Sequence, residues 1–162
     1  MKKLLIFLLI ILSIYLLISL YYLDKYYFLC PIAYERDFAI RADNKGSGFF
    51  GAKRKGRRHH QGIDLFAQIG TPVFASRFGI VIEATKNHGM GNYVKIRHFD
   101  NIITLYGHLS KIYVIRYQLV RQGQIIGLVG KTGNANHHQI QPHLHFEVRK
   151  KGIPQDPLRY LK

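Results

Sequence analysis

Apolar and polar positions follow two regimes along the chain. From Leu4 to Leu20 the sequence is an almost unbroken apolar run, interrupted only by Ser13, Tyr15 and Ser19 and preceded by Lys2 and Lys3. Tyr21, Tyr22 and Leu23 extend it and supply aromatic residues of the kind found at a membrane–water interface. This length and composition predict a membrane-spanning helix over residues 4–23. A cleaved signal peptide competes with that reading, but small residues in an A-x-A pattern are missing before Asp24 and Cys30. Lipidation at Cys30 is a further alternative, opposed by the bulky Leu29 before it. With Lys2 and Lys3 held inside, everything after about residue 24 faces outward. The expectation is a single-pass protein of the cytoplasmic (inner) membrane, its folded part in the periplasm or on the outer face.

Residues 24–45 show no clear period and read as a connector that packs partly onto the downstream domain. From Gly46 the pattern changes to short β-branched runs punctuated by glycine, an all-β signature. Predicted strands cover 62–66, 72–75, 79–85, 93–98, 102–109, 124–129 and 143–149. The segments "NHGMGN", "HFDN", "RQGQ" and "GKTGN" carry the residues that turns require. Helical periodicity is hardly visible there and no internal repeat stands out. The chain therefore divides into an anchor over 1–23, a connector over 24–45 and one mainly β domain over 46–162.

Charge narrows the partners. The formal charge is +15 at pH 7, and "KRKGRR" at 53–58 is its densest cluster. A polyanion is the natural partner for such a patch, and a solvated loop is the bland reading. The outward topology favours anionic cell-wall polymers or lipid headgroups and argues against nucleic acid. The single cysteine excludes an intrachain disulfide.

Candidate chemistry comes from histidines in strands. Alternation puts His143 and His145 of "HLHFEV" on one face, with Leu144 and Phe146 on the other. In "HQGID" at 60–64, His60 and Asp64 share a face while Ile63 and Leu65 turn to the core, and Gly62 between them leaves room for something bulky. His60, Asp64 and one of the histidines 143 and 145 would make the three-ligand set of a catalytic zinc site. "TLYGHL" at 104–109 adds His108, on one face with Thr104 and Tyr106. His98 and Tyr106 are candidates to line the groove or support the site, and Glu147 could orient a histidine of its own strand face. His59, His88, His137 and His138 read as surface residues.

In this order "HQGID", "TLYGHL" and "HLHFEV" resemble the lysostaphin/LytM-type zinc metalloendopeptidases, which cut peptide cross-links of bacterial peptidoglycan. The resemblance spans about residues 47–161 and includes "GTPVFAS", "GNYVKIRH", "GQIIGLVGKTG" and "PQDPLRYL". It implies an antiparallel β-sheet or sandwich with a groove across it and the metal on the groove floor. It also implies His60, Asp64 and His145 as ligands of one zinc ion, with His108 and His143 as the catalytic pair. Zinc lowers the pKa of water to about 7 and polarises a carbonyl, which suits hydrolysis of an unreactive amide. Because a protonated His60 or His145 cannot ligate, activity should fall on the acid side of neutrality.

The sequence departs from the family pattern in places. "NANHHQIQ" makes the loop before "HLH" about four residues longer by comparison with that pattern, and Asn101 stands where glycine is common. Some relatives lack ligands and only activate other hydrolases, whereas every ligand position is filled here. A membrane-anchored peptidoglycan endopeptidase is therefore the first reading, and a non-catalytic wall binder or activator on the same fold is the second. Asp43 and Asn44 are polar residues placed where an upstream residue could block the open zinc position.

Overall fold

The computed structural model describes residues 2–25, 27–34 and 38–161. Helix α1 spans Lys2–Lys25 and is long and apolar enough to cross a membrane, with Lys2–Ser19 averaging 2.3 in hydropathy. Ser13 inside it turns its hydroxyl back onto the Leu9 carbonyl at 2.6 Å, which satisfies a polar group in an apolar run.

The remainder is mainly antiparallel β-sheet, as the alternation predicts. In chain order the strands are β1 (Ala42–Asp43), β2 (Gly46–Ser47), β3 (Ile63–Phe66), β4 (Pro72–Phe74), β5 (Gly79–Asn87) and β6 (Gly91–Arg97). They continue with β7 (Ile102–Leu109), β8 (Lys111–Ile112), β9 (Leu119–Val120), β10 (Ile125–Leu128), β11 (His143–Lys150) and β12 (Ile153–Gln155). A seven-stranded sheet runs β12-β11-β7-β6-β5-β9, and β3 pairs with the first half of β11. A three-stranded sheet, β4-β10-β8, covers one face of it, and β1-β2 form a separate hairpin.

The core lies between the two larger sheets. Leu144, Phe146 and Val148 of β11, Ile63 and Leu65 of β3, and Val73 and Ile126 of the smaller sheet are all fully buried there. The segment before β1 joins the same core through Phe28, Cys30 and Ile32. Burial pushes the Cys30 thiol up to about 11, so it behaves as an apolar core residue.

Register fixes what faces the solvent side of the large sheet. His145 lies opposite both Asp64 of β3 and Gly107 of β7, so three segments remote in sequence meet at one point. The backbone of Asp64 is clamped further: Arg41 N donates to Asp64 O and Asp64 N donates to Gly48 O, each at 2.8 Å. The upstream hairpin is thereby laid along β3, directly over the site.

Gly62 does not leave space in the groove, contrary to the sequence expectation. A Cβ there would stand 2.2 Å from the Phe146 carbonyl oxygen and 2.9 Å from Glu147 Cγ. Its absence lets the entry to β3 run against β11. Gly62→Ala is expected to destabilise the fold by about 1–3 kcal/mol, as overpacking does, because rigid backbone must yield. A urea midpoint equal to that of the parent chain would contradict this reading.

Candidate active site

Four histidines and two carboxylates converge beside the register point, and all six side chains are buried. His60 Nε2, Asp64 Oδ1 and His145 Nδ1 form the inner group: His145 Nδ1 stands 2.9 Å from Asp64 Oδ1 and 3.0 Å from His60 Nε2, and His60 Nε2 stands 3.0 Å from Asp64 Oδ1. Among the described residues this trio is the group that could hold a metal ion.

Neighbours decide which nitrogen of each ring points inward. His60 Nδ1–H donates to the Phe49 carbonyl at 2.9 Å, which leaves Nε2 bare. His145 Nε2–H donates to Glu147 Oε1 at 3.0 Å, which leaves Nδ1 bare. His108 Nδ1–H donates to the Thr132 carbonyl at 2.9 Å and His143 Nδ1–H to the Gln141 carbonyl at 2.7 Å, so both present Nε2. Two bare imidazole lone pairs and a carboxylate oxygen at 3 Å repel one another unless a cation lies among them. A proton or a metal ion meets that need.

Asp64 divides its two oxygens between tasks. Oδ2 accepts from Arg41 Nη2 at 3.0 Å and from Arg54 Nη2 at 3.3 Å, leaving Oδ1 for the site. Burial raises the Asp64 carboxyl, but hydrogen bonds from His145 and His60 outweigh that and hold it well below the usual carboxylate range. For His145, burial opposes the charged form, while hydrogen bonds to Asp64 and then Glu147 overcome it and raise the ring to about 9. His108 is depressed to about 3, by burial first and then by His145 and His143. His143 is lowered as well, chiefly by burial, which the nearby Asp64 charge only partly offsets. Its Nε2 lies 3.8 Å from Asp64 Oδ1, and its ring centroid is 5.0 Å from that of His108.

The sequence expectations fare differently residue by residue. His60, Asp64, His108, His143 and His145 are brought together, and Glu147 is indeed the partner of a histidine on its own strand face. Glu147 Oε2 is held in turn by Arg149 Nε at 2.6 Å. Tyr106 does not share the face of His108. It turns into the core against Phe146, centroids 5.3 Å apart, and its hydroxyl sits between Thr104 Oγ1 and Ser76 N. The reason is backbone: His108 adopts a left-handed φ of 62°, which breaks the alternation and swings its ring to the groove side. His98 also lies elsewhere, buried between the Phe78 carbonyl and Thr104 Oγ1 at the other end of the sheet. Asp43 is engaged by Arg41, Lys45 N and Gln141 N instead of facing the histidines. Asn101 has φ 59°, the left-handed conformation its residue type tolerates.

Arg41 and Arg54 went unnoticed in the sequence, although Arg54 sits inside the basic cluster. Their role depends on a contact made across 23 and 10 residues, which no local pattern announces.

The groove floored by these residues is lined by Lys55, Arg57 and Arg58 and by Asn134, Ala135 and Ile140 of the loop over 134–141. The sequence profile described as Peptidase family M23 matches residues 58–157, the stretch that carries all four histidines, Asp64 and Glu147, while Arg41, Asp43, Phe49, Arg54, Lys55 and Arg57 lie upstream of it. The chain belongs to peptidase family M23. The M23 region is 42% identical over 98 residues to the peptidoglycan DD-endopeptidase ShyC of Vibrio cholerae, an alignment covering 60% of this chain and 22% of that protein. The chain thus spans about a fifth of the length of such relatives. Among solved structures, a zinc-containing peptidase from Vibrio cholerae superposes with a TM-score of 0.66 at 37% identity, covering 83% of this chain and 40% of that one. Lysostaphin from Staphylococcus simulans superposes at 0.61 and 35% identity, covering 72% and 48%. The lysostaphin-like fold and the M23 assignment agree with the resemblance read from the motifs.

One consequence is a stability that depends on pH in the absence of metal. A histidine whose folded pKa is raised contributes stability that is complete below its unfolded value near 6.5 and is lost as pH rises through about 9. The urea midpoint of the chelator-treated protein is therefore expected to fall between pH 7 and 9. A Glu147→Gln variant should show a shallower fall, and a parent midpoint that stays level across that range would refute the assignment.

Proposed function

We propose that the protein is a membrane-anchored zinc metalloendopeptidase that hydrolyses peptide cross-links of bacterial peptidoglycan, with zinc held by His60 Nε2, Asp64 Oδ1 and His145 Nδ1. The observation that carries this reading is the convergence of two bare ring nitrogens on a carboxylate oxygen, each fixed from behind by a carbonyl, a carboxylate or a guanidinium. Such backing is the usual arrangement around metal-binding histidines and carboxylates. The donor set matches three-ligand zinc sites, which keep one position open. The names of ShyC and of the zinc-containing peptidase support both the substrate class and the metal.

Bound at this site, zinc supplies Lewis acidity, polarising a carbonyl and lowering the pKa of water to about 7. The chain's own residues do the rest. His108 and His143 stand beside the inner group with Nε2 free, and both are neutral at pH 7 because burial disfavours their charged forms. One of them takes the proton from the attacking water and passes it to the leaving amine. Between those two transfers its Nε2–H hydrogen-bonds the oxygen on which negative charge develops, while the other, neutral with Nε2 bare, accepts a hydrogen bond from the water and orients it. Glu147 keeps His145 in the Nε2–H tautomer, and Arg41 with Arg54 keeps Asp64 from rotating.

Lys55, Arg57 and Arg58 give the groove a cationic wall that draws anionic cell-wall material or headgroups toward the site. Helix α1 tethers the domain to the outer face of the membrane.

Two measurements test this reading. Full-length protein in detergent, loaded with zinc and incubated with cross-linked muropeptides, is expected to add water across the cross-link by mass spectrometry. His60→Ala should lose both metal and hydrolysis, whereas His108→Ala and His143→Ala should keep one zinc per chain and lose about 10²–10⁴-fold in rate. A folded, zinc-loaded parent that cuts no muropeptide would leave a non-catalytic wall binder or activator instead. The second measurement is calorimetric. Zinc must displace the His145 Nδ1 proton, so uptake at pH 7 should release about one proton per ion, read from titrations in buffers of different ionisation enthalpy. Release near zero would mean that His145 Nδ1 carries no proton before zinc arrives and would overturn the raised pKa assigned to it.

A further inference from the structure

The end of the domain remote from the groove carries a different surface. His108, near the end of β7, faces the groove, while Ile102 begins the same strand six residues earlier, about 20 Å away at the usual strand rise. The turn before Ile102 holds Phe99, 66% exposed and stacked on Phe78 at 5.6 Å between centroids. Leu119, 62% exposed, lines the same cleft together with Phe78, Phe99 and Arg97. Lys151 N donates to the Asn101 carbonyl, so the β11–β12 turn brings exposed Lys150 and Lys151 to this end. The carboxylate of the turn, Asp100, is already paired with Arg77 at 3.0 Å. Among the described residues, Phe99 and Leu119 stand exposed here with the cations Arg97, Lys150 and Lys151 around them.

The chain from α1 enters the domain at this same end. Tyr27 O accepts from Gln122 Nε2 at 3.3 Å, three residues beyond Leu119, and Phe28 packs edge-on against His98, which neighbours Phe99. Helix α1 ends at Lys25. Two residues of chain reach at most about 7 Å. A bilayer that holds α1 must therefore lie close to Tyr27, and so close to Phe99 and Leu119.

We propose that this face, with Phe99 and Leu119 at its centre and Arg97, Lys150 and Lys151 around them, docks onto the anionic lipid surface of the membrane that holds α1. The apolar side chains enter the interface while the cations meet headgroups. Docking there turns the groove away from the lipid by the length of β7, toward the wall. This inference rests on α1 being retained as an anchor, as in the function proposed above.

The chain contains no tryptophan, so single substitutions report their own surroundings. Full-length Phe99→Trp, Leu119→Trp, Ile69→Trp and Leu12→Trp proteins are reconstituted into phosphatidylethanolamine–phosphatidylglycerol vesicles with or without brominated acyl chains. Ile69 is exposed in the turn after β3, at the groove end, and serves as the distant control. Leu12 reports the anchor. Bromination is expected to quench Leu12→Trp strongly and to lower Phe99→Trp and Leu119→Trp emission by roughly half, as for groups seated about 5–10 Å into the headgroup and acyl boundary. Ile69→Trp should not change. Quenching of Leu12→Trp with neither Phe99→Trp nor Leu119→Trp affected would overturn the docking while sparing the anchor. An unquenched Leu12→Trp would remove the anchor and the docking together. Protection of Phe99→Trp from aqueous quencher without bromine quenching would place a protein surface over the patch, and would also overturn it.

Discussion

The buried carboxylate of Asp64 is the constraint around which the domain is arranged. A carboxylate with so little exposure must be matched by cations or donors, and here each oxygen is matched separately. Oδ2 is met by Arg41 and Arg54, while Oδ1 is met by whatever lies between His60 and His145. The surrounding charges balance: Asp43, Asp64 and Glu147 stand against Arg41, Arg54 and Arg149, with His145 joining the Glu147–Arg149 pair to the rest. The set is thus neutral in sum. A cation at the centre would keep its field largely unquenched by these carboxylates, which is the condition for polarising a substrate carbonyl.

The same arrangement explains why residues upstream of the M23 match belong to the site. Arg41 reaches Asp64 only because the hairpin β1-β2 is laid along β3 by backbone hydrogen bonds on both sides of Asp64. Asp43 then links that hairpin to the loop over 134–141 through Gln141 N, and the carbonyl of the same Gln141 receives the His143 Nδ1–H. The loop over 134–141 thus positions a histidine as well as bordering the groove. Removing the hairpin would leave Asp64 half-matched and His143 less firmly held.

Much of this was legible in the sequence where one physical rule acts alone. Strand alternation placed His143, His145 and Glu147 on one side of β11 and Leu144 and Phe146 on the other, because side-chain direction in an uninterrupted strand is fixed by geometry. It failed at Tyr106 because the left-handed residue His108 interrupts β7, and the interruption depends on a tertiary contact. It misjudged Gly62 because a glycine between two site residues looks the same whether it opens space for substrate or lets two backbones meet. Arg41 and Arg54 stayed hidden among 24 lysines and arginines, since only the fold tells a buried guanidinium from a solvated one.

The turn motifs show the same limit from the other side. "GMGN" and "GKTGN" read as turns, and they are, but the two turns also cross each other. Gly91 has φ +63° and a Cβ on it would stand 2.1 Å from Thr132 Oγ1, while a Cβ on Gly133, φ +64°, would stand 2.2 Å from Gly91 N. With both side chains absent, Thr132 lies close enough for its hydroxyl to accept from Asn92 N and donate to the Leu109 carbonyl. Its own carbonyl then receives the His108 Nδ1–H. Two glycines therefore set the tautomer of a histidine they do not touch. Their conformational freedom serves the chemistry by fixing where a carbonyl points, which a local reading of turn propensity has no means to express.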